Sequence, residues 1–398
     1  MAVAEYVREA LAGSSVIRKL FEEGAALKKL HGSGKVFDFS IGNPDLEPPP
    51  AFHETLVRLA TCDAAGSHGY MPNAGYPAVR EALSKKCGSE QGVTLNADDL
   101  VMSVGAAGGL NCVFKSIINP GDEVIVSKPY FMEYRTYIAN HGGKLVEVDS
   151  LPDFNLDINA VRKALTPRTA AVMINTPHNP TGRVYPEETI TALAAALNEY
   201  GKKSMRFPYL VSDEPYREIV YDNIEVAPVL CAYQNSIVVT SYSKSLSLPG
   251  ERIGYIAVNP STPDKQNLIA ALIWATRVLG FVNAPALMQR CVAELTAEKV
   301  AVDIYAERRD AFIKVLDGAG LKYSRPQGAF YIFCKVPSKT AALGDDNTFS
   351  DHLKKYLILG VPGSGFAAPG WLRFAYCVSS KIISASADAF KKAVGTYL

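Results

Sequence analysis

The sequence is poor in the features that mark out whole classes of protein. Its seven cysteines (Cys62, Cys87, Cys112, Cys231, Cys291, Cys334 and Cys377) are odd in number and scattered, with no CxxC pair and no Cys/His ligand spacing. Neither a disulfide framework nor a metal site is expected, and a reducing, cytoplasmic setting fits. No block of one charge sign occurs. Lys and Arg number 41 against 40 Asp and Glu, which removes the electrostatic footprint of a nucleic-acid binder. The longest apolar stretch, Leu268 to Met288, is interrupted by Arg277, Gly280, Asn283 and Pro285 and fails as a membrane span. Glu5, Glu9, Glu22 and Glu23 among the first apolar residues suit an amphipathic helix rather than a signal or transit peptide. Repeats and low-complexity tracts are lacking. So are GxGxxG and a Walker loop, which speaks against a nicotinamide enzyme despite the α/β pattern described next.

What is there is ordinary globular material: 398 residues, 48% hydrophobic and 20% charged, enough for one large core and a smaller domain. From about residue 100, β-rich runs at Glu123–Ser127, Lys144–Asp149, Thr169–Asn175, Tyr209–Glu214, Ser236–Tyr242 and Gly254–Asn259 alternate with helical patterns at Ala106–Ile118, Phe131–Asn140, Glu187–Tyr200 and Pro263–Arg277. That alternation predicts an α/β fold, a mainly parallel sheet with helices on both faces. Beyond Pro285 the pattern changes. A long helix through about Asp317 is expected there, then strands near Tyr331–Val336 and Trp371–Cys377 and helices at Phe349–Tyr356 and Ser384–Tyr397. This reads as an α+β domain joined by the N-terminal segment, whose first helix ends near Gly32-Ser33-Gly34. The division expected is 46–289 for the large domain and 1–45 with 290–398 for the small one.

In open α/β sheets ligands sit beyond the carboxyl ends of the strands, so the polar residues just after each strand carry the functional signal. After Val104 come Gly105-Ala106-Ala107-Gly108-Gly109 and a helix, an entry where backbone N–H groups can approach an anion; alone, such an entry is more often tight packing. Asp213-Glu214-Pro215 ends another strand. An acid there can pair with a buried cationic ring nitrogen, or merely cap a loop. Ser241-Tyr242-Ser243-Lys244-Ser245, with Arg252 eight residues on, suits a Schiff-base amine beside a phosphate, although most lysines are solvated surface charges. Asn175-Thr176-Pro177-His178-Asn179-Pro180-Thr181-Gly182 is dense in turn formers.

Taken in order, Pro177–Gly182 (PHNPTG), Ser212–Tyr216 (SDEPY) and Ser241–Gly254 (SYSKSLSLPGERIG) resemble the class I/II aminotransferases, pyridoxal-phosphate enzymes of fold type I. The likeness runs from Ser40–Asp45 (SIGNPD) through Gly69-Tyr70, Pro129-Tyr130-Phe131 and Pro326–Tyr331 (PQGAFY) to Pro362–Phe366 (PGSGF) and Trp371–Phe374 (WLRF). It implies a large sheet of the seven-stranded type and pyridoxal 5'-phosphate as cofactor. By the same likeness Lys244 is the amine that joins the cofactor and moves the substrate proton. Asp213 pairs with the ring nitrogen, Asn179 and Tyr216 donate to the phenolic oxygen, and Phe131 stacks on the ring. Gly105, Ala106, Ala107, Ser241, Ser243 and Arg252 hold the phosphate. Arg373, helped by Gly42 and Asn179, grips the substrate carboxylate. Tyr70 comes from a second subunit, which implies a homodimer with its sites at the interface.

Where aspartate-specific members of the most similar bacterial subgroup carry a lysine in the phosphate-loop region, this sequence has Ala106-Ala107-Gly108. A neutral or aromatic donor is therefore expected over aspartate, with a 2-oxo acid as acceptor and a pyridoxamine phosphate intermediate. Arg277 is the other cation that could serve a dicarboxylate. A carbon–sulfur β-lyase and an aspartate aminotransferase are the alternatives. A DNA-binding regulator is disfavoured, since only about 40 residues precede the Ser40 motif, too few for a winged-helix domain.

Overall fold

The computed structural model describes residues 3–5, 7–8, 22–62, 65–338 and 345–397. Most of the expected first helix lies outside the described residues; 22–31 is helical and stops at Gly32, whose φ of +90° only glycine adopts readily. Strand β1 (Phe37–Asp38) follows, then two helices that each open at a proline, Pro50–Ala60 and Pro77–Gln91.

The large sheet holds seven strands: β2 (Leu100–Ser103), β3 (Glu123–Lys128), β4 (Lys144–Asp149), β5 (Thr169–Asn175), β6 (Tyr209–Asp213), β7 (Ser236–Ser241) and β8 (Gly254–Val258). Their order is β2-β8-β7-β6-β5-β3-β4. Neighbours from β7 to β4 are parallel, whereas β8 runs antiparallel to both β7 and β2. The reversal has a local cause. Between β7 and β8 the chain makes only a helical turn, Tyr242–Ser245, and a 3-10 turn, Pro249–Glu251, too little for the crossover a parallel partner needs. Arg252 thus returns beside the end of β7, where Ser241 pairs with Gly254.

Alternation along the strands builds a core on each face. Val172, Ile174, Leu210 and Val238 pack toward Leu83 of helix Pro77–Gln91 and Leu193 and Leu197 of helix Glu187–Ser204. Ala171, Met173, Val211, Ile237 and Val239 face the other way, toward Val113 of helix Gly105–Ile117 and Leu272 of helix Lys265–Val278. With both faces covered, β5 is buried at every position.

A further core gathers around a four-stranded sheet of order β12-β13-β10-β9, with β9 (Tyr323–Ser324), β10 (Tyr331–Lys335), β12 (Val361–Pro362) and β13 (Trp371–Ala375). Strand β11 (Ile358–Leu359) pairs with β1 in parallel. Phe39 from near the start of the chain meets Phe312 at 4.7 Å between ring centroids, and Phe374 and Phe390 close the aromatic group. Tyr216, Ile219 and Tyr221, within the 46–289 range expected for the large domain, pack into this core as well.

The long helix expected through Asp317 is broken into Ala286–Glu294 and Val302–Gly318. A tertiary contact overrides the local pattern: Val300 is buried and its N–H donates to the Ser245 carbonyl at 2.8 Å. Likewise Ser384–Tyr397 resolves into Ser380–Ala385 and Ala387–Tyr397, and Phe131 precedes its helix, Glu133–Ala139. No described helix is long and apolar enough to cross a membrane.

Phe312, with none of its surface exposed, joins the ends of the chain. Phe312→Ala is expected to lower unfolding stability by about 3–5 kcal/mol, read as a shift of the urea midpoint at unchanged slope.

Candidate active site

The carboxyl ends of β5 and β6 lie side by side, with Asn175 paired in register with Asp213. Next to them are the end of β7 and the start of the helix Gly105–Ile117 that follows β2. Over this edge opens a cavity of about 440 Å³. Of the residues singled out from the sequence, Gly42, Ala106, Ala107, Phe131, Asn179, Asp213, Tyr216, Ser241, Ser243, Lys244, Arg252 and Arg373 all line it. Gly105 stands one residue behind the wall. Its φ is +67°, and a Cβ there would come within 2.7 Å of an Arg252 guanidinium nitrogen, so glycine is what lets that cation approach the helix entry. Tyr70 does not line the cavity; it is 96% exposed.

Asp213 is buried at the end of β6. Its Oδ2 accepts from the Tyr134 hydroxyl at 2.6 Å, and its Oδ1 has no partner among the described residues. Loss of water raises its pKa to about 7, with Glu214 adding and the Tyr134 hydrogen bond opposing. A carboxylate so placed calls for a cationic N–H at Oδ1.

Lys244 sits in the helical turn after β7, and its Nζ donates to the Gly42 carbonyl at 2.7 Å. Burial brings its pKa down to about 8; Cys377 opposes the shift, and the Arg373 and Arg252 charges add to it. Its amine therefore has an unprotonated fraction near neutral pH that a surface lysine lacks.

Arg373 projects from β13. It donates to Asn179 Oδ1 at 3.1 Å and to the Ser40 carbonyl at 2.8 Å, while its Nε has no partner among the described residues. The Tyr331 and Phe366 rings lie 4.5 and 4.8 Å from the guanidinium carbon and stiffen the fork. Asn179 is held in turn, its N–H donating to Asn175 Oδ1 at 2.7 Å. The Tyr216 and Tyr331 hydroxyls share a hydrogen bond of 2.8 Å; burial, and then the Tyr331 hydroxyl, push the Tyr216 phenol upward, so it stays a donor.

These features fit pyridoxal phosphate: an open acceptor on a buried carboxylate for a ring N–H, a lysine of lowered pKa for an aldehyde, and hydroxyls, a helix entry and an arginine for a phosphate. No cluster of His, Cys, Asp and Glu that could hold a metal occurs among the described residues. The cavity also uses Tyr134, Tyr137, Tyr331, Asn175 and Ser40, for which the sequence alone suggested no role. Tyr331 and Asn175 lie inside motifs quoted above. Tyr134 had only a faint signal, its position three residues after Phe131.

The description "aminotransferase class I and II" covers the family model that matches residues 34–390. The chain is 33% identical to the aspartate/prephenate aminotransferase of Thermus thermophilus over 369 residues, 89% of this chain and 90% of that protein. Among solved structures, an amino transferase from Eubacterium rectale superposes with a TM-score of 0.94 at 39% identity, covering 100% of this chain and 99% of its own. The Thermus thermophilus aspartate aminotransferase with maleate gives 0.84 at 30% identity, covering 95% and 96%.

From the ordinary carboxylate range up to about 7, the cofactor-free native state keeps a proton on Asp213 that the unfolded chain has released. Native stability therefore falls as pH rises through that window. Asp213→Asn is expected to match the parent near pH 4 and to melt above it at pH 8 when both are cofactor-free, as read by calorimetry.

Proposed function

The chain belongs to the aminotransferases of classes I and II, pyridoxal-phosphate-dependent enzymes that pass an amino group from an amino acid to a 2-oxo acid, and on that premise we propose that its donor carries a neutral or aromatic side chain. The observation that carries this reading is the cation inventory of the cavity. Among the described residues only Lys244, Arg252 and Arg373 line it with positive charge. Lys244 is committed to the aldehyde, Arg252 to the phosphate and Arg373 to the α-carboxylate, so none is left for a side-chain carboxylate. Arg277 is exposed and outside the lining. The alternative, aspartate as donor, draws support from the names of the relatives.

Bound pyridoxal phosphate supplies an electron sink that makes the donor's Cα–H acidic enough to remove. In this reading Asp213 Oδ1 accepts the ring N–H and keeps it protonated. Asn179 and Tyr216 would donate to the phenolic oxygen, and Phe131 would pack against the ring. Ser241, Ser243, Arg252 and the N–H groups at Gly105, Ala106 and Ala107 hold the phosphate. Arg373 offers its unoccupied N–H groups to the α-carboxylate, with Gly42 and Asn179 beside it. The Lys244 amine would take the proton from the donor's Cα, a role that its lowered pKa favours.

We further propose a homodimer in which Tyr70 reaches the neighbouring subunit's phosphate site. Tyr70 shares an open surface with Met71, Phe281 and Val282, an apolar group suited to a second copy.

A donor panel of aspartate, alanine, methionine, phenylalanine and tyrosine with 2-oxoglutarate is expected to give the highest kcat/KM for a neutral or aromatic member; aspartate in first place defeats the reading. Lys244→Ala should cost about 10⁴-fold in kcat with every donor. Sedimentation equilibrium is expected to return twice the chain mass, and Tyr70→Phe to weaken cofactor retention on dialysis; a monomer retaining full activity contradicts the dimer.

A further inference from the structure

The segment from Ser40 to Asp45 reaches the cavity through its backbone. Three successive carbonyls each accept a hydrogen bond from a different side chain: Ser40 from Arg373 at 2.8 Å, Ile41 from the Cys377 thiol at 3.4 Å, and Gly42 from Lys244 at 2.7 Å. The space is tight. A Cβ on Gly42 would fall 2.0 Å from the Tyr331 hydroxyl, so the loop lies directly on the Tyr331 ring.

Both ends of this loop are tied down. Upstream, Asp38 Oδ1 accepts from the Ser40 N–H at 3.1 Å and the Ser40 hydroxyl at 2.6 Å, and the Phe39 carbonyl accepts from the Ala375 N–H at 2.7 Å. Downstream, Asp45 meets Arg308 in a two-pronged ion pair, 2.5 Å from Nη1 to Oδ1 and 3.0 Å from Nη2 to Oδ2. Arg308 belongs to helix Val302–Gly318 and is almost wholly buried, with its guanidinium carbon 5.6 Å from the centre of the Tyr305 ring. The fork is directional, with the arginine buried and the carboxylate partly open to solvent.

We propose that Arg308 is a positioning residue for the reaction: by gripping Asp45 it keeps the Ser40 and Gly42 carbonyls where they aim Arg373 and Lys244. The inference rests on the proposed roles of those two residues. The Gly42 carbonyl takes one N–H of the Lys244 amine and so sets the direction of its lone pair. The Ser40 carbonyl and Asn179 occupy two prongs of Arg373 and leave the remaining N–H groups for a carboxylate. Displacement of either group by about 1 Å is worth as much as 100-fold in rate, and loosening Asp45 frees the loop at the end nearer Gly42.

The test uses the cofactor-loaded enzyme and whichever donor the panel ranks first. Arg308→Gln is expected to raise KM and to lower kcat/KM by about tenfold or more. It should also enlarge the α-deuterium isotope effect on kcat, because the proton transfer itself becomes slower. Asp45→Asn, on the more exposed partner, is expected to change the same quantities in the same direction, and the double variant to be no worse than Arg308→Gln alone. A merely structural role would lower the melting temperature and the active fraction while leaving KM and the isotope effect of the folded enzyme at parental values; that outcome overturns the proposal. If Arg308→Gln does not fold, Asp45→Asn decides by the same readouts. Loss of function in Lys244→Ala and Arg373→Lys beside parental behaviour in both loop variants sinks this inference alone, whereas full activity in Lys244→Ala or Arg373→Lys sinks the site reading beneath it.

Discussion

Two carboxylates stand next to each other at the end of β6, and water is removed from both. Glu214 is fully answered: Ser212 donates to one oxygen at 2.7 Å, while Gln91 and Arg217 donate to the other at 2.9 and 2.8 Å. Asp213 is answered on one oxygen only. Successive strand residues face opposite sides, so one acid is spent inside the fold and the other is turned to the cavity. A buried carboxylate with one oxygen left open is costly, and hydrogen bonds on either side hold its backbone in place. Asn175 donates to the Asp213 carbonyl at 2.8 Å, and the Glu214 N–H donates to Val239 at 2.8 Å. The rest of the site is arranged around the open oxygen that results.

The cavity sits at a seam. Asp213, Lys244, Asn179 and the helix entry at Gly105 are carried by the large sheet, and Arg373 and Tyr331 by the strands of the further core. Tyr216 crosses between them, packing into that core while its hydroxyl meets Tyr331. A site divided in this way can hold a cofactor on one wall and a substrate carboxylate on the other.

Local sequence was informative wherever the physics was local. Alternating runs of β-branched residues marked the strands of the large sheet, and polar residues immediately after those runs marked Asp213, Asn179 and Lys244, because an α/β sheet presents its strand ends to one side. The limits of local pattern are equally physical. The helix expected through Asp317 breaks because Val300 answers the Ser245 carbonyl, a partner that periodicity cannot reveal. The antiparallel course of β8 follows from the shortness of its connection rather than from its composition.

By itself the sequence determined the alternating α/β class, most of the residues that line the cavity and their order along the chain. Only the tertiary structure decided which of them meet. Arg373 finds the Ser40 carbonyl across 333 positions and Asp45 finds Arg308 across 263, and Tyr134 is set against one oxygen of Asp213 and not the other. Such pairings depend on how whole elements pack, since a hydrogen bond is made or lost within a fraction of an ångström while residue type and spacing constrain only the nearest turns of chain.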